Sequence, residues 1–396
     1  MTGAPLSAAI VGSGPAGLFT LDAILRHAPD ARVDVFERLP TPFGLVRSGI
    51  APDHQGTKAV VRQFERAFAR PSVRLLANVE VGRDVALERL IETYDLVFAA
   101  TGSPQDRKLG IPGEDLQGVH GSQAFIGWLN GHPDHRDLAP RVGENVVIVG
   151  AGNVAIDVAR ILAKSAEELR ASDLCSHAWP IVGRARRIDV VARGDMARAK
   201  FDLAELEALG KLALARPAVD PENLARARWP DHSLGATFEG FASLPRNRPT
   251  TIAFHFGLTP VALLGDGRVG AVRFIDSQGG VRELEADTVV TAIGAQVPAA
   301  PWPPGVIAVG WAAGSAGSIP ASRKEAAEAV ARAMAAVPRP HSEPGQWSPA
   351  PGAAAVIDWA GWKRVEAAEL ARAEPPRPRE KFTRRAELLA AASNIR

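Results

Sequence analysis

Short apolar runs alternate with amphipathic stretches along this chain of 396 residues, which predicts parallel strands joined by helices. The first apolar run, 8–11, breaks into the glycine turn Gly12–Gly17, and apolar positions then recur at helical spacing from Leu18 to Arg26. A strand, a Gly-x-Gly-x-x-Gly turn and a helix in this order form a dinucleotide-binding fingerprint. The next strand, 32–36, ends in Glu37, where a carboxylate can accept hydrogen bonds from an adenosine ribose.

Each glycine of this first fingerprint has a separate structural task. Gly12 permits the tight turn, Gly14 lets the backbone approach a pyrophosphate, and Gly17 lets the helix pack closely on the strand. Because the strands, the glycines, the helix and the terminal acid all stand in register, we interpret the segment as a dinucleotide site and not as an ordinary turn.

A second fingerprint lies near the middle of the chain. The apolar run 145–149 is followed by the turn Gly150–Ala155 and by a predicted helix. Ala155 stands where the third glycine would be, a replacement that the fingerprint permits. The next strand, 187–192, ends in Arg193 and not in an acid. Arginine at this corner suits a 2′-phosphate, so the pattern predicts a preference for NADP over NAD.

Two dinucleotide sites in one chain indicate that electrons pass between two cofactors. Buried strands that end in a glycine turn are predicted at 94–102 and 287–294, on either side of the second fingerprint. The sequence therefore predicts an α/β fold with two Rossmann-like dinucleotide-binding domains, one inserted into the other. The inserted domain is expected at 105–293, and the outer domain at 1–104 and 294–396.

Weaker patterns predict the remaining elements. Further strands are expected at 73–76, 78–81, 251–257, 269–275 and 305–311, and helices at 156–164, 201–206, 322–336 and 357–373. The turn Gly265–Gly267 is expected to join the strands 251–257 and 269–275 as a pair.

Composition favours a cytoplasmic enzyme. Hydrophobic residues make up 46% of the chain and charged residues 23%, and the net charge of +2 gives no reason to expect nucleic acid as a partner. No apolar run reaches the length of a membrane span. Because the first strand begins by about Ser7, no leader peptide is expected.

Cys175 is the only cysteine of the chain. One cysteine can form no internal disulfide, no Cys-x-x-Cys redox pair and no cysteine-ligated iron–sulfur cluster. That count excludes reductases that relay flavin electrons through a pair of thiols. We interpret Cys175 as a structural thiol, and we predict no metal site.

The run Pro42–His54 carries a family resemblance. It is similar to the signature that follows the first nucleotide site in adrenodoxin reductase and in the related bacterial ferredoxin–NADP reductases. The similarity continues through 78–82, 152–160, Gly310-Trp311 and 377–381, so it covers nearly the whole chain. It implies FAD in the outer domain, NADP(H) in the inserted domain and an iron–sulfur protein as the electron partner.

The resemblance also implies roles for individual side chains. His54 and Glu205 are expected to form a positioning pair beside the nicotinamide, and Trp311 is expected to flank the flavin ring. Hydride would pass directly from nicotinamide to flavin, so the task of the protein is alignment. The contacts expected for FAD are Gly12, Gly14, Pro15, Ala16, Gly17, Glu37, Arg38, Gly44, Leu45, Val46, Val81, Thr101, Gly102, Gly310, Trp311, Gly317, Ser318 and Ile319. Those expected for NADP(H) are Gly150, Gly152, Asn153, Val154 and Arg193.

The electron partner is expected to be an acidic ferredoxin-type iron–sulfur protein, serving a cytochrome P450 or another oxygenase. Arg226 and Arg228 are assigned to its docking site, since clustered positive charge steers an acidic partner. The resemblance implies that Arg184, Arg186, Arg187, Arg246 and Arg248 of the inserted domain belong to the same positive face.

Two other function classes stay open. One is an NAD(P)H-dependent flavin oxidoreductase that acts on a small molecule. For that class, a segment 295–305 shorter than in the resembling family would open a substrate pocket. The other class is a flavoprotein that has lost reductase activity and serves as a binding module.

Overall fold

The computed structural model describes residues 5–103, 105–196, 199, 201–220, 224, 232–296, 302–314, 319–337, 345–350 and 355–393. Their strands form two parallel sheets and one small antiparallel sheet. One parallel sheet is built from both ends of the chain and the other from its middle. The predicted arrangement of one nucleotide-binding domain inserted into another is therefore confirmed.

The sheet of the outer domain has five parallel strands in the order β14-β4-β1-β2-β3. They are β1 (Ser7–Val11), β2 (Arg32–Glu37), β3 (Val73–Ala77), β4 (Leu96–Ala99) and β14 (Val306–Ala308). Val11 is level with Phe36 and Ala99, so the carboxyl ends of the three central strands meet at one edge. The first glycine turn follows at that edge, which is where open parallel sheets bind ligands.

The sheet of the inserted domain has six parallel strands in the order β5-β13-β6-β7-β9-β8. They are β5 (Val119–Gly121), β6 (Asn145–Val149), β7 (Arg187–Ala192), β8 (Ala215–Val219), β9 (Thr250–Phe256) and β13 (Thr288–Thr291). Val149 is level with Val191 and Thr291, and the second glycine turn follows directly. The two sheets thus present their fingerprints in the same way.

A three-stranded antiparallel sheet packs on the inserted domain and consists of β10 (Leu258–Asp266), β11 (Arg268–Asp276) and β12 (Val281–Glu285). The predicted pairing of 251–257 with 269–275 is wrong. The first of these segments is β9, which joins the parallel sheet, and the partner of β11 is β10. Pro260 and Gly265 interrupt the pattern of β10, and its register with β11 shifts next to each of them.

Helices connect and cover the strands. In the outer domain they are α1 (Pro15–His27), α2 (Leu45–Ser48), α3 (Gln55–Lys58), α4 (Val61–Phe68), α5 (Leu87–Thr93), α11 (Ile319–Ala336), α12 (Trp359–Ala371) and α13 (Arg385–Ser393). In the inserted domain they are α6 (Ser122–Leu129), α7 (Asn153–Ala163), α8 (Ala166–Leu169), α9 (Leu203–Gly210) and α10 (His232–Phe241). Short 3-10 helices lie at Pro133–Leu138, Ser176–Ile181 and Gly310–Ala313.

Local backbone geometry moves some of the predicted boundaries. α1 begins at Pro15, earlier than the predicted Leu18, because Gly14 caps the helix and proline is favoured in its first turn. The predicted strand 78–81 does not form: Asn78 has a φ of +63° and ends β3, and only Val81 makes a bridge, to Val85. Among the described residues, no helix combines the length and the apolar character needed to cross a bilayer.

Candidate functional site

The first glycine turn is shaped for close approach of a phosphate. Gly12 has a φ of +109°, and a side chain there would overlap the carbonyl of Ala100. A side chain at Gly17 would overlap the carbonyl of Gly12, so both positions require glycine for packing. Gly14 differs, since a Cβ there would meet nothing within 4 Å. The open side of this turn is therefore at Gly14, where the amide groups at the start of α1 can bind an anion.

The second glycine turn repeats this geometry. Gly150 has a φ of +130°, and a side chain there would overlap the carbonyl of Ala292. Gly152 has nothing within 4 Å of an added Cβ, and Ala155 is buried against the domain core. Within the described parts of the chain, no side chain caps α1 or α7. Both turns thus fit the pyrophosphate of a dinucleotide.

Glu37 lies at the carboxyl end of β2 beside the first turn. Its Oε2 accepts hydrogen bonds from the amide and the hydroxyl of Ser13 at 3.1 and 2.6 Å, and its Oε1 accepts one from the Leu39 amide at 2.9 Å. The carboxylate is buried and oriented by these bonds. Each oxygen can accept further bonds, so the predicted contact with a ribose is compatible with this geometry.

Arg38 follows Glu37, and its side chain reaches the 3-10 helix Pro133–Leu138. Its guanidinium pairs with Asp134 at 2.5 Å, and Arg385 pairs with the same carboxylate at 2.9 Å. Burial would raise the pKa of Asp134, but the hydrogen bonds from the two arginines lower it to about 2. The guanidinium of Arg38 is thus engaged in an ion pair, and its contact with the cofactor stays a prediction.

Two later segments converge on the first glycine turn. The amide of Phe43 donates to the carbonyl of Ser13 at 3.1 Å. A Cβ at Gly44, whose φ is +46°, would lie 2.9 Å from the Cα of Gly14. A Cβ at Gly310, whose φ is +62°, would lie 2.6 Å from the Cβ of Ala16. The segments that the resemblance assigns to the flavin therefore lie against the turn that the fingerprint assigns to its pyrophosphate.

Large side chains flank these contacts. Leu45 is 40% exposed although it is apolar, whereas Val46 is buried beneath it in the outer core. Trp311 is half-buried in the short 3-10 helix that follows β14. Thr101 and Gly102 follow β4 at the same edge of the sheet, and Gly102 has a φ of +70°. Gly317 and Ser318 lie outside the described residues, and Ile319 is the first residue of α11.

Four charged or titratable side chains lie between the two domains, and we call His54, Asp157, Arg160 and Glu205 the His54 cluster. His54 Nε2 is 3.5 Å from Glu205 Oε2, and His54 Nδ1 is 3.7 Å from Asp157 Oδ1. His54 precedes α3 of the outer domain, whereas the two acids lie on α7 and α9 of the inserted domain. The structure thus brings the predicted pair together across the domain boundary.

Arg160 is the hub of the cluster. Its guanidinium, 3% exposed, bonds to Glu205 at 2.9 Å, to Asp157 at 2.7 Å and to both oxygens of Asp53 at 2.9 Å. Lys164 adds a contact to Asp53 at 2.6 Å. Burial would raise the pKa of Asp53, but Arg160 and Lys164 lower it to about 2.

Sequence reasoning missed the supporting residues of the His54 cluster. Asp157 and Arg160 stand at i, i+3 on α7, a spacing that is most often an exposed helix pair. Burial raises the pKa of Asp157 even though Arg160 opposes that effect. The ligand atoms of His54, Asp157 and Glu205 lie within 4.8 Å of one another, a separation that would also suit a metal ion. The guanidinium of Arg160 already supplies positive charge to both acids.

The residues expected to bind NADP(H) lie around the second turn. Val154 is 44% exposed at the start of α7, and Arg193 is exposed immediately after β7. Two hydrogen bonds join the side chain of Asn153 to Asp202, the residue before α9: Asn153 Nδ2 donates to Asp202 Oδ2 at 2.7 Å, and Asn153 Oδ1 accepts from the Asp202 amide at 2.8 Å. Asn153 therefore couples the glycine turn to the helix of Glu205.

The basic residues assigned to partner binding divide by position. Arg226 and Arg228 lie outside the described residues. Arg184 and Arg186 precede β7, Arg187 is its first residue, and Arg246 and Arg248 precede β9. These five lie at the amino ends of the strands, a strand length of about 17 to 20 Å from the edge that carries the glycine turn. Arg187 pairs with Asp189, and Arg248 donates to the carbonyls of Gly210 and Ala215.

Comparisons with known proteins identify the family. A family model described as pyridine nucleotide-disulphide oxidoreductase matches residues 6–202. Cindoxin reductase of Citrobacter braakii is 34% identical over 418 residues, which cover 98% of this chain and 91% of that protein. A probable ferredoxin/ferredoxin–NADP reductase of Mycobacterium tuberculosis (strain ATCC 25618 / H37Rv) is 34% identical over 440 residues, 98% of this chain and 76% of that protein.

A solved structure agrees with these relatives. Mycobacterium tuberculosis FprA in complex with NADPH superimposes with a TM-score of 0.89 at 30% identity, covering 98% of this chain and 100% of that one. The disulfide in the name of the family model has no counterpart here, because Cys175 is the only cysteine and is buried and free. Burial raises the pKa of its thiol to about 12, which makes it unreactive. The chain belongs to the adrenodoxin-reductase type of ferredoxin–NADP reductases, a family of FAD- and NADP-dependent oxidoreductases.

Proposed function

We propose that this chain oxidises NADPH and passes the electrons one at a time to a ferredoxin-type iron–sulfur protein. The observation that carries the proposal is the pair of matching glycine turns at Gly14 and Gly152, one on each sheet, with the His54 cluster between the domains. Relatives named for ferredoxin and cindoxin support the choice of acceptor class.

The glycine turns and their neighbours would bind the two cofactors. Amide groups at Gly14 and Gly152 would hold the pyrophosphates, and Glu37 would hold the adenosine ribose of FAD. Arg193 would select the 2′-phosphate of NADPH. When bound, FAD would supply the redox chemistry that side chains cannot provide, which is to accept a hydride and to release electrons one at a time.

The His54 cluster would orient the nicotinamide. Arg160 fixes the carboxylate of Glu205, and Glu205 in turn lies 3.5 Å from His54. His54 and Glu205 therefore form a pair of polar side chains with a fixed geometry. Hydride transfer depends steeply on the distance between donor and acceptor, so the main contribution of this pair would be to hold the nicotinamide ring in place.

The electron acceptor would dock near the flavin through the positive charge of Arg226 and Arg228. With a single cysteine, the chain has no thiol pair that could relay electrons, so they would leave from the flavin itself. A cytoplasmic location and service to a cytochrome P450 or another oxygenase are part of the same proposal.

Extraction of the cofactor and a coupled assay test this function. The purified protein is expected to release FAD, and not FMN, because only FAD has the adenosine half that Glu37 would bind. NADPH is expected to drive reduction of an added 2Fe–2S ferredoxin. A colourless protein that does not take up FAD would rule the proposal out. A rate of NADPH oxidation that does not change when ferredoxin is added would also rule it out.

A further inference from the structure

Residues 50–58 belong to the outer domain by chain order but pack on the inserted domain. Ala51 is fully buried, and its side chain lies in the hydrophobic core of the inserted domain. The carbonyl of Ile50 accepts a hydrogen bond from Asn130 Nδ2 at 2.8 Å, and that of Pro52 accepts one from the Asp173 amide at 3.1 Å. The inserted domain therefore holds this segment before the chain reaches His54.

A buried lysine holds the other end of the segment. Lys58 Nζ lies 2.6 Å from Asp173 Oδ1 and 2.7 Å from Asn130 Oδ1. The amide of Lys58 donates to the carbonyl of His54 at 3.1 Å, one helical turn earlier. Contacts of the Lys58 side chain therefore act on His54 through a single turn of α3.

The C-terminal tail closes the same group of charges. Lys381 Nζ lies 2.8 Å from Asp173 Oδ2 and 3.1 Å from Asn130 Oδ1, and it donates to the carbonyl of Arg47 at 3.1 Å. Lys58, Lys381 and Asp173 are all buried. Buried charges tolerate little displacement, because a partner that moves away leaves an uncompensated charge in a medium of low dielectric constant.

We infer that Lys58, Asn130 and Asp173 form an interdomain anchor that positions His54 at the nicotinamide site. The inference rests on the proposed function, since His54 is taken to face the nicotinamide. The three are positioning residues that act through His54. With the anchor intact, the segment 50–58 keeps its place on the inserted domain, and His54 stays 3.5 Å from Glu205.

The substitution Lys58→Met tests the anchor, because it keeps the length of the side chain and removes the charge and both hydrogen bonds. Asp189→Asn is the matched control: Asp189 is also buried and pairs with His255 at 2.6 Å and with Arg187 at 2.8 Å, all within the inserted domain. Both variants alter a buried ionisable side chain, but only Lys58→Met loosens a contact between the domains.

Stopped-flow reduction of the FAD-loaded enzyme at saturating NADPH is the main readout. Because misplacement of a reacting group by about 1 Å can cost up to ~100-fold, we expect Lys58→Met to slow flavin reduction at least ~10-fold. NADP⁺ affinity and FAD content are expected to stay near those of the unmodified enzyme. Asp189→Asn is expected to reduce thermal stability and leave the reduction rate unchanged. Equal reduction rates in the unmodified enzyme and in Lys58→Met would overturn the inference.

Hydrogen–deuterium exchange of peptides covering 50–58 provides a readout that does not depend on activity. Exchange there is expected to rise in Lys58→Met and not in Asp189→Asn. If the unmodified protein is not reduced by NADPH, the proposed function fails, while unchanged exchange in Lys58→Met would refute the anchor separately. Asn130→Ala, which removes the contacts to Ile50 and Lys58, gives the same test if Lys58→Met does not fold.

Discussion

At the scale of single residues, the first two glycines of each fingerprint differ in what their missing side chains permit. Gly150 lacks a side chain because the chain packs against Ala292 there, whereas Gly152 lacks one beside open space. The first is a requirement of the fold, and the second is a requirement of the ligand.

Alanine substitutions separate these two requirements. Gly152→Ala is expected to fold with unchanged thermal stability and FAD content but to bind NADPH at least ~10-fold more weakly, because the methyl group occupies the path of the pyrophosphate. Gly150→Ala is expected to destabilise the protein, since its φ of +130° and the Ala292 carbonyl both exclude a side chain. Thermal unfolding and NADP⁺ titration measure the two effects. Normal NADPH affinity in Gly152→Ala would contradict the assignment of the site.

Arg193 is expected to decide between the two nicotinamide cofactors. Loss of a charge-assisted contact to phosphate costs about 1.5 to 3 kcal/mol, which is roughly a 10- to 150-fold loss of affinity. Arg193→Ala should therefore weaken use of NADPH by that factor and leave use of NADH nearly unchanged. Steady-state kcat/KM with each cofactor checks the result, and equal efficiency of both cofactors in the unmodified enzyme would argue against the phosphate contact.

At the scale of elements, helix α7 joins both functions of the inserted domain. The second glycine turn leads directly into this helix, and its later turns carry Asp157 and Arg160 of the His54 cluster. Asn153 also binds Asp202 at the start of α9, which carries Glu205. The second glycine turn and the members of the His54 cluster in the inserted domain are therefore linked through α7 and α9.

Arg160 and Lys164 allow a matched comparison on this helix. Arg160→Met leaves the acids Asp53, Asp157 and Glu205 without their shared cation, and breaking a buried ion pair in this way costs about 3 to 5 kcal/mol. Lys164→Met removes only one contact to Asp53, from a more exposed position, and should cost less. Chemical denaturation of the two variants measures the difference, and equal costs would show that Arg160 is not the hub.

The sequence predicted those elements whose signals are local. Both glycine turns and the strands before them were recognisable because strand, turn and helix are contiguous. β10 was missed, since Pro260 and Gly265 mask its alternation. Arg160 and Lys58 were missed for another reason: their partners Asp53 and Asp173 lie 107 and 115 positions away in the chain. Charged helix positions predict burial only when such distant partners are known.

At the scale of the whole molecule, a segment can pack on one domain although its place in the sequence assigns it to the other. The segment 50–58 precedes the inserted domain in the sequence, yet it contributes Ala51 to that domain's core and Lys58 to its buried ion pairs. The resemblance indicated that His54 would lie beside Glu205, but it did not indicate which residues keep His54 in that position. We infer that Asn130 and Asp173 do so, and neither residue lies in a recognisable sequence motif.

Partner docking is expected to depend on charge at Arg226 and Arg228. Changing both to glutamate should slow electron transfer to an acidic ferredoxin and leave reduction of ferricyanide unaffected, because a small acceptor needs no docked protein. Rising salt should slow the ferredoxin reaction of the unmodified enzyme, as screening sets in over a Debye length of about 8 Å. Reversal of Arg184 and Arg186, at the far edge of the inserted sheet, is the control. Parallel loss of both reactions would show an effect on the fold or on NADPH binding.

Anaerobic mixing of the FAD-loaded protein with NADPH, followed by addition of oxidised 2Fe–2S ferredoxin, tests the central claim most directly. NADPH should abolish the visible absorption of the flavin, and ferredoxin should restore it. Two ferredoxins should be reduced for each NADPH, because a hydride carries two electrons and each cluster accepts one. Gly152→Ala should slow the first step at limiting NADPH. A flavin that NADPH does not reduce, or one that stays reduced when ferredoxin is added, would contradict the account.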